Sequence, residues 1–328
     1  MPATLPVGGS KVDYLVNELS LCGQFQELGS FAHSVERIML IRQQIQLAGR
    51  SLFCNRNLAH AQVTSGIGMQ QAVQSLPAPK RSAWLQWITK HGPHWDELRN
   101  HSSDDWFEVN GELVTDSAIA EAALCVTHGL ARELVSFDPS PWLFSPIPVT
   151  WVGNDGHRMP ISVANHWSVA SIRESLERSP LPITSWESLA EHMRTSCQRL
   201  VFAGDAFDPL ESHPFVYGAS ERIQILLRKL NELASCINED GQRTPEGDRI
   251  YESYFTGYRP WFTDSSDTEK NSFKQELTFR CPENPSESMF CTWHGKVNSP
   301  KLRVHFSWPP QLNRPVYVVY VGPKITKR

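Results

Sequence analysis

Four residues near the C-terminal end, His294, Lys296, Arg303 and His305, combine imidazole with fixed positive charge at alternate positions of two short segments. Side chains at i and i+2 of a strand point to the same side, so each segment presents one such pair. The turn at 298–300 is too short for a crossover and forces an antiparallel pairing, which sets the two pairs beside each other. A group of this kind suits RNA cleavage without a metal: a neutral imidazole takes the 2′-hydroxyl proton while cations stabilise the charge that builds on the phosphate. Imidazole titrates near neutrality when unperturbed, and a planar guanidinium grips two phosphate oxygens at once. Tyr320 or Tyr317 adds a phenol from the last strand, and strict alternation lets only one of them share this side. The catalytic set read from the sequence is therefore His294, Lys296, Arg303, His305 and Tyr320. Lys301, Arg314, Lys324, Lys327 and Arg328 extend a basic surface for RNA or DNA. The same face binds nucleic acid without chemistry, because phosphate affinity needs only charge, and it also reads as the ordinary solvated side of a sheet. No cofactor is called for by any of these readings.

These residues need a sheet to hold them. The end of the chain changes hydrophobic period from about 3.6 to 2, which predicts four strands at 275–281, 289–297, 301–308 and 315–322. In the third, Leu302, Val304, Phe306 and Trp308 form the core side. Upstream, helical spacing is read over 12–50, with Phe31, Val35, Ile38, Ile41 and Ile45 on one stripe and Gly49 as the stop. Further helices are expected over 80–90, over 115–130 with Asp116 or Ser117 as cap, over 186–200 and over 220–238. Pro139, Pro141, Pro146 and Pro148 forbid a helix and mark a surface connection, and 239–247 reads as a loop. The expected fold is α+β: a helical N-terminal region and a C-terminal four-stranded antiparallel sheet. Three parts follow, a mainly helical acidic domain at 1–150, a mixed helical connecting region at 151–247 and a basic antiparallel-sheet domain at 248–328.

Charge supports that division. Residues 288–328 contain seven Lys or Arg and no Asp or Glu, so the formal net charge of -4 leaves -11 on residues 1–287. A phosphate-bearing partner or an acidic protein surface is implied for the basic end. The length of 328 residues suggests two domains, and eleven Trp with fifteen Phe exclude a disordered chain. Seven scattered Cys without a Cys-x-x-Cys pair argue against a disulfide framework or a zinc ribbon and favour the cytoplasm. No basic, then apolar leader opens the sequence and no apolar run approaches a membrane span, so neither secretion nor insertion is expected.

Other groups of chemically active residues are weaker. His91, His94, Asp96, Glu97, His101, Asp104 and Asp105 gather divalent-metal ligand types, but their spacing matches no ligand pattern and Gly92-Pro93 makes the segment a loop. Cys54 and Cys125 read as small buried hydrophobes rather than nucleophiles. Gly8-Gly9-Ser10-Lys11 lacks the spacing of a phosphate loop, so neither ATP nor NAD is indicated. Trp84, Trp87, Trp95 and Trp106 read as core before stacking platform.

The phrases Trp293-His294-Gly295-Lys296, Leu302-Arg303-Val304-His305-Phe306 and Tyr317 to Lys324, behind a helix, resemble the sheet of RelE/ParE-type bacterial toxins over about the last 80 residues. Members with ribonuclease activity cut ribosome-bound messenger with basic side chains, sometimes His, and a late Tyr. The resemblance assigns these roles to Lys296, Arg303, His305 and Tyr320, and so implies an endoribonuclease. Toxins of this type are small single domains, whereas some 245 residues precede the sheet here. The whole chain is also similar to uncharacterised proteins of bacterial anti-phage defence loci, through Val16-Asn17-Glu18-Leu19-Ser20 and Tyr320 to Thr326. That similarity implies a toxin or defence effector held in check by a protein partner, or a non-enzymatic adaptor subunit of a defence complex.

Overall fold

A computed structural model describes residues 13–97, 99–101, 105–153, 156–179, 182–312 and 314–326. Contacts divide the chain into two compact units, Met1–Pro182 and Ile183–Arg328. The boundaries expected near 150 and 247 fall inside these units. Pro146 and Pro148 flank and enter a strand of the first unit, and Pro245 opens a helix of the second.

The first unit alternates strands and helices in chain order: β1 (Asp13–Val16), α1 (Leu28–Leu47), β2 (Leu52–Phe53), α2 (Met69–Ala72), α3 (Ala78–Gln86), β3 (Trp106–Val109), β4 (Glu112–Leu113), α4 (Ala118–Thr127), β5 (Arg132–Val135), β6 (Ile147–Val152), β7 (Arg158–Val163), β8 (Asn165–His166) and α5 (Val169–Arg178). The helices expected in the N-terminal region are joined there by two sheets that the sequence reading did not place: β2-β1-β5-β8 form a parallel sheet and β4-β3-β6-β7 an antiparallel one. Strands buried on both faces read as short continuous apolar runs with no period of their own, so Tyr14-Leu15-Val16 merged into the helical pattern that follows. Tyr14, Val16, Leu52 and Val135 pack with the α1 stripe, while Leu15, Phe53 and Leu134 pack with α4 and the antiparallel sheet. Ser117 caps α4 through the Ala120 amide, as its position beside an Ala-rich run predicts.

The second unit contains α6 (Trp186–Ser196), β9 (Leu200–Phe202), α7 (Tyr217–Ser235), α8 (Pro245–Phe255), β10 (Phe262–Asp264), α9 (Asp267–Ser272), β11 (Thr278–Arg280), β12 (Ser288–Phe290), β13 (Trp293–Val297), β14 (Leu302–Phe306) and β15 (Val316–Pro323). The expected four-stranded antiparallel sheet is a five-stranded mixed sheet, order β10-β13-β14-β15-β9, in which β9 joins β15 in parallel. The β13-β14-β15 meander is antiparallel as its short turns require. Thr278–Arg280 leaves the main sheet and forms a separate hairpin with Ser288–Phe290. The two added strands come from distant sequence, which no local period announces. Leu226, Leu227, Leu230 and Leu233 of α7 bury one face of the sheet against Val304, Phe306, Val318 and Val321. Close approach explains Gly295, where a Cβ would lie 3.2 Å from Leu226 Cδ1.

Candidate nucleic-acid interface

The pairing register brings the sequence-derived residues together. His294 faces His305 and Lys296 faces Arg303 across β13 and β14, and His305 faces Tyr320 across β14 and β15. All lie on the face opposite the α7 core. The two imidazole centroids are 5.2 Å apart, and Tyr320 is 5.9 Å from His305. The expectation that only one of Tyr317 and Tyr320 shares this face is corrected by a bulge. His305 pairs with Tyr320 but Phe306 with Val318, so Val319 is an extra residue and alternation resets after it. Tyr317 consequently belongs to the cluster that Phe279 packs against, and Phe279 also lies 6.3 Å from Tyr320.

The histidines are covered. His294 is 7 % and His305 2 % exposed, and Phe279 of β11 lies 6.2 Å from His305. Nδ1 of His305 donates to the Cys291 carbonyl (3.1 Å), and Nδ1 of His294 to the Thr292 carbonyl (3.3 Å). Nε2 of His294 lies 3.4 Å from the Thr263 hydroxyl, which donates to it when the ring is neutral. Burial pushes His294 down to about 4 and His305 down to about 3, with further lowering by Arg303 and, for His305, by His294.

The cations behave differently. Arg303 donates from Nη1 to the carbonyls of Leu302 (2.8 Å) and Val297 (3.3 Å), while its Nε is buried without a hydrogen-bond partner. Among the described residues neither Arg303 nor Lys296 has a carboxylate within ion-pair distance. Burial lowers both below their ordinary values, and the like charges of Arg303 and Lys324 lower Lys296 further. Glu269 of α9 is the nearby acid that the sequence reading missed. It binds Lys324 at 2.8 Å and the Thr326 hydroxyl at 2.7 Å, and the Lys324 contact helps hold its carboxyl down at about 2. The Ser266-x-x-Glu269 capping box was a legible sign of that helix, though not of its partner on the C-terminal tail.

The other proposed contacts divide. Lys301 is exposed in the β13-β14 turn. Arg314 pairs with Glu287 at 2.9 Å and lies over the Tyr317 ring, and Lys324 pairs with Glu269, so both are engaged internally. Lys327 and Arg328 lie outside the described residues.

The 91–105 segment lies in the first unit. His94 bonds the Ile88 carbonyl, His101 pairs with Glu121 of α4 at 2.6 Å, and among the described residues no group of three or more His, Cys, Asp or Glu is placed to hold a metal. Asp104 lies outside the described residues. Trp84, Trp87 and Trp95 are core residues as read, while Trp106 is 53 % exposed. Among the described residues no helix is long and apolar enough to cross a membrane.

No protein-family model, curated protein or solved structure matches the chain.

Proposed function

We propose that Ile183–Arg328 binds the phosphate backbone of RNA or DNA through Lys296 and Arg303, with Lys301 at the rim, and does so without cleaving it. The observation that carries this reading is Lys296 facing Arg303 across β13 and β14, two half-buried cations without an ion-paired acid among the described residues. Two like charges held side by side are costly, and a phosphate reaching their accessible ends would offset that cost. The imidazoles argue for binding over chemistry. A base with a pKa of about 3 or 4 takes a hydroxyl proton poorly, and at neutral pH neither ring carries the proton a leaving oxygen needs. The setting in an anti-phage assembly with a protein partner is proposed on the sequence resemblance alone.

The test is binding of a labelled single-stranded RNA between 50 and 200 mM salt, with Arg303→Gln and Lys296→Gln beside the wild type. Each substitution should weaken binding and flatten the log–log salt slope by about 0.7, the value for one phosphate contact on a single strand. No binding at low salt would end the proposal. RNA incubated with wild type in EDTA should stay intact, whereas cleavage abolished by His305→Ala would restore the ribonuclease reading.

A further inference from the structure

Strands β10 and β13 are antiparallel neighbours, and Asp264 at the end of one pairs with Trp293 at the start of the other. A tight turn of about two residues would join such a pair. Residues 265–292 stand in its place, and this insertion carries α9 and the β11-β12 hairpin. It folds over the face of the sheet opposite α7. Phe279 lies 6.2 Å from His305 and 6.3 Å from Tyr320, and the Glu269 carboxylate acts on both Lys296 and Arg303 as a counter-charge.

The strand register shows how far the insertion travels. It leaves the sheet at the Trp293 end of β13, whereas Lys324 follows β15 at the opposite end, where Val297 pairs with Leu302 and Leu302 with Pro323. Glu269 nevertheless reaches Lys324 at 2.8 Å and the Thr326 hydroxyl at 2.7 Å. Further along, Glu287 holds Arg314 at 2.9 Å and Glu283 accepts from the Tyr317 hydroxyl. The insertion is thus fastened at both ends of β15, by Lys324 just after the strand and by Arg314 two residues before it. Its acids, Asp267, Glu269, Glu276, Glu283 and Glu287, face a run over 288–328 that has none.

Both ion pairs put a carboxylate where a phosphate would bind. The two anions offer similar oxygens to a guanidinium or an ammonium, so one excludes the other from the same cation. All four side chains are partly exposed, and ion pairs in that setting are weak enough to be exchanged. We infer that residues 265–292 form an autoinhibitory strap across the nucleic-acid face, with Glu269 and Glu287 holding Lys324 and Arg314 away from phosphate, so that the closed form offers Lys296, Arg303 and Lys301 alone. This rests on the phosphate-binding reading above and adds the regulation of that same site.

The experiment uses the full chain and a labelled single-stranded RNA titrated between 50 and 200 mM salt. Wild type, with three phosphate contacts, should lose roughly 20-fold in affinity across that range, Glu269→Gln roughly 50-fold and the Glu269→Gln, Glu287→Gln double variant roughly 130-fold. The double variant should also bind more tightly than wild type at 50 mM. Glu276→Gln is the control, because Glu276 is an exposed acid of the same insertion without an ion pair among the described residues, and this variant should keep the wild-type salt dependence. A change in Glu276→Gln as large as in Glu269→Gln would overturn the strap, since net charge alone would then account for it. Hydrogen exchange without RNA reads the opening directly: amides of β11 and β12 should exchange faster in the double variant, and unchanged protection would overturn the strap. If the double variant does not fold, Glu269→Gln against Glu276→Gln still decides. Equal salt dependence in all these proteins would overturn the strap and leave phosphate binding intact; no RNA binding by any of them would overturn both.

Discussion

His294 and His305 show how completely surroundings control a side chain. Free imidazole titrates near neutrality, but burial, with Arg303 nearby, holds both rings neutral, and Phe279 lies against His305. Their folded pKa values, about 4 and about 3, lie below those of the unfolded chain, so acid favours unfolding. The stability they contribute is full above about pH 6.5 and is lost as the pH falls toward 4 and then 3. His305→Gln removes one of these titrations, and the variant should lose about 2 kcal/mol less than wild type between pH 7 and pH 4.5 in chemical denaturation. Imidazole NMR titrations with midpoints above 6 for both rings would contradict the burial argument. Glu18 in the first unit works in the opposite sense. Burial pushes it up to about 7, so its protonated form is favoured in the fold and stability falls as the pH rises through neutrality. The acid limb is therefore best followed through the histidine signals themselves.

At the level of elements, β15 carries the decisive irregularity. Val319 is the extra residue that turns Tyr320 away from the α7 core and toward His305. Gly322 then lets the strand pass Pro209 and the Tyr320 ring, since a Cβ there would come within 2.6 Å of Pro209 Cβ and 2.8 Å of Tyr320 Cζ. Gly322→Ala should destabilise the second unit by about 1–3 kcal/mol through overpacking, measured by thermal or denaturant unfolding. An unchanged midpoint would show that Pro209 and Tyr320 yield freely. The meander itself was legible in the sequence because residues alternate in β13 and β14 and short turns leave one pairing direction. The bulge was not, because an inserted residue changes no residue type and only the partner strand reveals it. Strands β9 and β10 were illegible for a related reason: three-residue strands carry too few positions to show a period.

For the whole molecule, charge counted along the chain differs from charge counted in the units. The basic run 288–328 lies in the same unit as the acids that balance it, since Ile183–Arg328 contains 18 Asp and Glu against 18 Lys and Arg. The net -4 falls on Met1–Pro182. Arg314 and Lys324 find Glu287 and Glu269 within that unit, which leaves Lys296, Arg303 and Lys301 as the described cations of this region without an ion pair. Nucleic-acid binding should therefore show a log–log salt slope of about -2, the signature of three phosphate contacts on a single strand. A slope near about -5 would mean that all seven cations of the basic run take part.

Residue order alone determined which side chains share a face of β13 and β14, because the two-residue period and the tight turn between them are local properties of the chain. It also determined the α7 stripe and the Ser117 cap, which depend on spacing over a turn or two. Tertiary structure decided the parallel sheet of the first unit, the partners of Arg314 and Lys324, and above all the depth at which the imidazoles lie. Burial and ion pairing arise between segments distant in sequence: the hairpin over His305 buries the imidazole, and the helix that supplies Glu269 engages Lys324, leaving Lys296 and Arg303 without an ion pair among the described residues.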